Sequence, residues 1–442
     1  VTFHKAILNT LSLSTPEDGL KDSIASPSET SQKDDYLPSA ITGMAGLCGF
    51  AFGLLLLQYF HLEGQQAGLL LAGMTGMPML AHELYLLFNT KICPTNPLFS
   101  TKPSYNVKRS LEKCLGVIIS VGFVALLYWL FPEYHGNFYE PFYSVLKPVA
   151  VIWLLMLFPY VLWVDARMKT PEDGYWQLGR ICLLHFENIR KKTLLQHLGL
   201  WVVKGFFLPL MWVYLCNNTR FLRLPEDFST FKQVYDYLSN LIFSIDLCFA
   251  AVGYSMTLRI FNAHVRSVEP TTLGWLSALA CYQPFWSLIG NQFIAYHRTV
   301  TWEIWFQNMP AAYITWGVFI LLSNIVFVWA TICFGIRFSN LTHRGIINFG
   351  PYYFTKHPAY IAKIFSYILI FMPVISRQGI ADAIRNMALM VLISLVYYIR
   401  ARTEEEHLSA VNETYRLYSE QIRKRHAKWL SILAGKPQVP RI

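Results

Sequence analysis

The chain has 442 residues, of which 54% are hydrophobic, 16% aromatic and only 14% charged. Soluble domains carry about 25% charged residues, so this composition excludes an ordinary water-soluble globule and fits a polytopic membrane protein. The net charge of +10 does not point to nucleic acid, because the basic residues are scattered among loops and form no stripe with interleaved aromatics. Cys48, Cys114, Cys216, Cys248, Cys281 and Cys333 lie inside apolar runs and no CxxC pair occurs. Neither a disulfide framework nor a metal site is indicated.

In chain order, residues 1–38 read as a polar tail rich in Ser, Thr, Asp and Lys, without the apolar core of a signal peptide. A membrane-spanning helix needs about 20 mainly apolar residues. Ten candidates follow, near 40–60, 65–88, 112–131, 148–164, 200–217, 240–258, 272–294, 312–335, 359–374 and 381–399. The predicted fold is therefore all-α, a polytopic membrane helix bundle of about ten transmembrane helices. The seventh span is interrupted by Pro284 and contains Asn291 and Gln292, and the ninth is short and ends at Pro373. Two membrane modules are expected, 39–239 of unknown role and 240–442 carrying the motifs below. The outer stretch 218–239 between them, with LPEDFSTFKQVYDYL, suits a short amphipathic helix. The inner loop 165–199 is expected to lie on the membrane surface or to cover a site.

Loop charge predicts the orientation, since Lys and Arg favour the cytoplasmic side. With both termini cytoplasmic, the inside loops hold 25 Lys and Arg. The outside loops hold six: Lys147, Arg220, Arg223, Lys232, Arg298 and Arg377. This orientation sets the ends of the ninth and tenth spans that carry charge on the cytoplasmic side.

Those ends hold two charged motifs around a hydrophobic hairpin: GPYYFTKHPAY from Gly350 to Tyr360, and YIRARTEEEHL from Tyr398 to Leu408. The hairpin would bring them together at a membrane boundary, which suggests a polar ligand there. Pro358 suits the first turn of the ninth helix, because its missing N–H has no intrahelical partner there. His357 then falls at the N-cap, and the helix start offers N–H groups to an anion. In the second motif, Arg400 can meet Glu404 and Arg402 can meet Glu406 along one helix face. Three consecutive glutamates cannot all face one way, since each step turns the helix by about 100°.

Together with FSNLTHRGIINFGPYYFTKHPAYIAK over 338–363, these motifs resemble the isoprenylcysteine carboxyl methyltransferase family and its phospholipid methyltransferase-like members. The family's motifs run approximately GPY-x-x-x-RHP-x-Y and R-x-R-T-E-E-E. The resemblance covers roughly the last quarter of the chain. It implies an integral membrane enzyme that takes S-adenosylmethionine as methyl donor and a lipid-like or prenylated acceptor, with a carboxylate as one candidate acceptor group. It further implies Arg400 and Glu405 as the catalytic pair, with Tyr352, Lys356, His357, Pro358, Tyr360 and Glu404 at the cofactor, and Glu406 as a supporting or surface residue. Lys356 departs from the family's usual Arg, which keeps the charge and loses a bidentate fork.

The chemistry suits such residues. A sulfonium donor is already activated, so alignment of donor and nucleophile is the main task. A carboxylate acceptor needs no general base; Arg400 could hold it while Glu405 orients Arg400 or binds the cofactor. An amine acceptor would need a base, with Glu405 or His357 as candidates. Downstream, NETYRLYSEQIRKRHAKW resembles the family's tail in Tyr415 and Tyr418 but lacks its proline-rich ending. It is expected to cover the cofactor or, through Arg423, Lys424, Arg425 and Lys428, to contact anionic headgroups. Asp246, within the sixth span, is either a functional group or a polar packing contact. Two rivals stay in view: an NADPH-dependent sterol-type reductase, whose Arg-Asp-x-x-Cys pattern is absent, and a transporter or scaffold, which no inverted repeat supports.

Overall fold

The computed structural model describes residues 40–88, 102–225 and 227–433; the expected tail 1–38 lies outside them. The first described elements, α1 (Ala40–Phe60) and α2 (Gly64–Phe88), form a close hairpin. Gly43, Gly46, Gly49 and Gly53 are buried at helical spacing along α1. A Cβ at Gly49 would sit 2.0 Å from the carbonyl oxygen of Met74, so only glycine lets the two backbones approach this closely. Small residues do this work in membrane bundles, where apolar burial alone gives little preference between helix and lipid.

Next come α3 (Val107–Leu130), α4 (Glu140–Asp165), the short α5 (Gly174–Cys182), α6 (Lys191–Asn218) and α7 (Phe231–Ser255). The outer stretch does not form a separate amphipathic helix. Its second half is the start of α7, fixed by a capping box in which Thr230 and Gln233 satisfy each other's backbone N–H groups. Within the inner loop, α5 docks on α3 and lines neither of the cavities described below.

The expected span 272–294 is not one helix. It divides into α8 (Thr272–Leu279) and a π-helical segment, Trp286–Ile294. Pro284 lies in the break, where it can donate no backbone hydrogen bond to a continuing helix. After α9 (Trp302–Phe306) come α10 (Pro310–Phe334), α11 (Pro358–Phe371), α12 (Ile380–Val411) and α13 (Glu413–Leu433). The 14 residues of α11 rise only about 21 Å, short of a hydrocarbon layer of about 30 Å. The 32 residues of α12 rise about 48 Å, enough to carry its charged end beyond such a layer.

Among the described residues, seven helices are long and apolar enough to cross a membrane: α1, α3, α4, α6, α7, α10 and α12. The described residues thus form a multi-pass helical bundle with one short β ladder. α2 has the length, at 25 residues, but carries Gln65, Gln66, His82 and Glu83.

One hydrophobic cluster runs from Phe50 and Leu71 through Phe207 and Leu210 to Phe249 and Ile336, so residues on both sides of the expected 239/240 division share a core. Polar links fix its register. Arg337, just after α10, donates to both carboxylate oxygens of Glu83 on α2 at 2.8 Å, and Thr42 on α1 donates to the same carboxylate at 2.9 Å. Bidentate pairing of this kind specifies geometry as well as attraction. Arg344 is buried and donates to five backbone carbonyls, those of Gly253, Met256, Ala263, Ile336 and Phe338. It thereby satisfies acceptors left over near the ends of α7 and α10. A two-residue antiparallel ladder, β1 (Ser267–Val268) with β2 (Thr342–His343), pins the loop before α8 to the loop after α10. That loop leads directly into the first motif.

Candidate functional site

The first motif opens at Gly350, whose φ of +59° favours glycine and where a Cβ would lie 2.8 Å from the sulfur of Cys333. The tight turn Gly350–Tyr353 buries Tyr352 edge-on against Phe334. The carbonyl of Tyr352 accepts a 2.7 Å hydrogen bond from the hydroxyl of Tyr418 on α13. Pro358 is the first residue of α11 and His357 its N-cap, as the sequence predicts. The His357 side chain makes no cap bond; its Nε2 lies 2.9 Å from Oε1 of Glu405. The rings of His357 and Tyr360 stack with centroids 5.5 Å apart and planes 3° from parallel.

The second motif lies along α12, whose Tyr397, Arg400, Glu404 and His407 recur at helical spacing and line one cavity. Glu404 accepts from the Tyr360 hydroxyl at 3.1 Å. The Arg400 guanidinium lies 5.0 Å from the ring centroid of Tyr360 and 5.5 Å from that of Tyr397, and donates to Asn340 at 3.3 Å. Arg402 and Glu406 pair at 3.5 Å on the outer face, following the four-residue spacing. Arg400 does not pair with Glu404; it turns to the tyrosine rings instead. Glu405, one step around the helix, lines neither this cavity nor its smaller neighbour and is held by Lys356 at 2.6 Å and by His357. The structure therefore brings Glu405 to Lys356 and His357, and brings Arg400 and Glu404 to the cavity wall, rather than setting Arg400 and Glu405 side by side.

That cavity has a volume of about 280 Å³. Its walls include Met211 and Tyr214 from α6, Phe243 and Asp246 from α7, Thr331 from α10 and Lys363 from α11. A smaller cavity of about 70 Å³ adjoins it, sharing Tyr352, Lys356, His357 and Glu404 and adding Tyr415 and Tyr418. Asp246 accepts a 2.6 Å hydrogen bond from Thr331. Glu269 and His407 were not predicted. They face each other across 3.6 Å in the larger cavity's wall, with Ser267 2.9 Å from the other imidazole nitrogen. Their partnership depends on the β1–β2 ladder, for which two-residue strands leave no pattern in the sequence. Lys363 was missed although the rule that singled out Asp246, an ionisable group in an apolar run, applies to it equally.

Burial pushes the carboxyl of Glu269 above the usual carboxylate range, and the charges of Glu404 and Glu406 add to that shift. Burial also pushes the Tyr415 hydroxyl upward, helped by Glu404 and Glu405, so it stays a neutral donor. That hydroxyl has no hydrogen-bond partner among the described residues although Tyr415 is only 4% exposed. A buried donor left unsatisfied costs about 1–3 kcal/mol, so its place in a cavity wall fits a ligand bearing an acceptor atom. Tyr352, Tyr360 and the carboxylate of Glu404 line the larger cavity together with the cations Lys356, Lys363 and Arg400, and the Tyr360 ring is already flanked by His357 and Arg400. Small-molecule clefts usually measure about 300–1,000 Å³, and the two adjoining cavities reach the lower end of that range. Comparisons with protein-family models, with curated proteins and with solved structures find no match.

Proposed function

We propose that the chain is an integral-membrane methyltransferase that uses S-adenosylmethionine and acts on a lipid-like or prenylated acceptor. The observation that carries this reading is the meeting of the two motifs through His357–Glu405 and Tyr360–Glu404 beside one cavity. The bound cofactor would supply an activated methyl group. Glu404, held by the Tyr360 hydroxyl, would hold its cationic part, and Tyr415 would donate to an acceptor atom in the smaller cavity. Lys356, Glu405 and His357 form a chain of contacts that fixes the N-cap of α11 against α12. Glu405 acts in this reading as a positioning residue, and Arg400, which faces the cavity, is the catalytic candidate that orients the acceptor.

The same proposal has ten crossings, with the α8–π segment as the seventh and α11 as a short ninth, and both termini cytoplasmic. The aqueous cofactor would then enter from the cytoplasm. Cysteines introduced at 345–356 and 405–412 should react from that side; reaction only from the opposite side would reject the orientation. The function itself is tested by calorimetry of the purified chain with S-adenosylmethionine and, separately, with NADPH. Saturable binding of the first and none of the second is expected. Binding of NADPH alone would replace the methyltransferase by a reductase, and binding of neither would leave a transporter or scaffold.

A further inference from the structure

Among the described residues, two of the cations that face the larger cavity, Arg400 and Lys363, make no ion pair with a carboxylate. Arg400 is 7% exposed, and among the described residues its one hydrogen bond is to the neutral side chain of Asn340. Lys363 makes no hydrogen bond or ion pair among the described residues; its ammonium lies 5.4–6.0 Å from the ring centroids of Phe327, Tyr367 and Tyr397. Both cations flank the same ring, that of Tyr397. Asp246 lines the cavity too, but no ion pair joins it to Lys363, and one of its oxygens is taken by Thr331. Buried charges in proteins are ordinarily paired, because an uncompensated one costs several kcal/mol. Arg400 and Lys363 share one cavity wall, and although Asp246, Glu269 and Glu404 line the same cavity, none of them forms an ion pair with either cation among the described residues, which leaves both cations open to an anionic ligand.

We propose that Lys363 is a specificity-determining residue that forms, with Arg400, a two-cation subsite for the phosphate of a membrane amphipath. Three features favour phosphate over a simple carboxylate. The subsite offers two cations rather than one. Its donors exceed what two oxygens use: the ammonium of Lys363, the remaining N–H groups of Arg400, and the hydroxyl of Tyr282, whose oxygen already accepts from Asn340. Depth is the third feature. Lys363 lies five residues into α11, about 8 Å along the axis, so a lipid phosphate would stay near the headgroup layer. The apolar chain would then run past Phe243, Leu247 and Met211. That this ligand is the methyl acceptor rests on the function proposed above; that the cavity takes an anion does not.

The test uses the full chain in neutral detergent without S-adenosylmethionine. Thermal unfolding would be followed during titration with tetradecyl phosphate, tetradecanoate, tetradecanol and inorganic phosphate. A charge-assisted contact is expected to raise affinity by at least about tenfold. Tetradecyl phosphate should therefore half-saturate at about one-tenth the concentration of tetradecanol or less, with tetradecanoate between them and inorganic phosphate weakest. Lys363→Met should abolish the preference, Lys363→Arg should keep it, and Asp246→Asn, which removes a neighbouring negative charge, should strengthen it. Equal binding of phosphate and alcohol, or a preference surviving Lys363→Met, would overturn the subsite. Tetradecanoate binding as tightly as tetradecyl phosphate would overturn the choice of phosphate, and inorganic phosphate binding as tightly would overturn the lipid. If Lys363→Met does not fold, the Lys363→Arg and Asp246→Asn pair still decides: loss of the preference in the first and no gain in the second would reject the proposal. Failure of S-adenosylmethionine to bind, with the phosphate preference intact, would remove the methyltransferase and leave the anion subsite.

Discussion

Oε1 of Glu405 lies 2.9 Å from Nε2 of His357, and this contact joins the N-cap of α11 to the charged end of α12. Lys356 approaches the other oxygen of the same carboxylate at 2.6 Å. One side chain that lines no cavity thus fixes two residues that line both.

Glu405→Gln should therefore weaken S-adenosylmethionine binding by about tenfold or more, the loss expected when charge-assisted contacts become neutral ones. Glu406 is largely exposed and paired with the equally exposed Arg402, and such surface pairs contribute about 0–1 kcal/mol. Glu406→Gln should change affinity less than about threefold by the same standard. Calorimetry on both variants checks the contrast, and equal losses would show that the glutamates are not differentiated.

Tyr415→Phe separates stability from ligand binding. The hydroxyl is buried and has no hydrogen-bond partner among the described residues, so removing it should leave the melting temperature unchanged or higher. If it meets the ligand, the same change should cost about three- to tenfold in affinity, the value of about one hydrogen bond. A drop in melting temperature would mean that the hydroxyl has a structural partner.

The buried pair between Arg337 and Glu83 should behave as a structural lock. Glu83→Gln leaves Arg337 buried without its counter-charge and should destabilise by about 3–5 kcal/mol. Chemical unfolding in detergent would measure this, and a change below about 1 kcal/mol would mean that water reaches the pair.

Glu269 offers a pH test. Its folded pKa lies above the ordinary value, so the folded state binds the proton more tightly than the unfolded chain. The stability it contributes is fully present below the ordinary carboxyl value of 4.5 and is lost as pH rises through the raised folded value. The stability of Glu269→Gln relative to the parent should therefore increase with pH across that window and then level off. A difference independent of pH would show that the carboxyl titrates normally.

What the sequence made legible was mostly local. Pro358 and His357 mark a helix start by their own backbone chemistry, and the spacing of Arg402 and Glu406 is a property of any α-helix. The apolar runs announced most of the long helices for the same reason. Pro284 gave warning of the broken seventh run, but not of the π-helical segment after it, whose hydrogen bonds depend on packing. Arg337 and Glu83 are 254 positions apart, and nothing near either residue names the other. The turn of Arg400 toward Tyr360 and Tyr397, away from Glu404, likewise depends on how closely α11 approaches α12.

Met211, Tyr214, Phe243 and Asp246 belong to α6 and α7, outside both motifs, yet they form one side of the larger cavity. A fragment starting at α10 would keep every motif residue and still present an open trough to surrounding lipid. The far wall can also be reshaped without altering a motif side chain. Under the proposed function, selectivity for the chain length or branching of the acceptor would therefore be set from α6 and α7, with the charged hairpin unchanged.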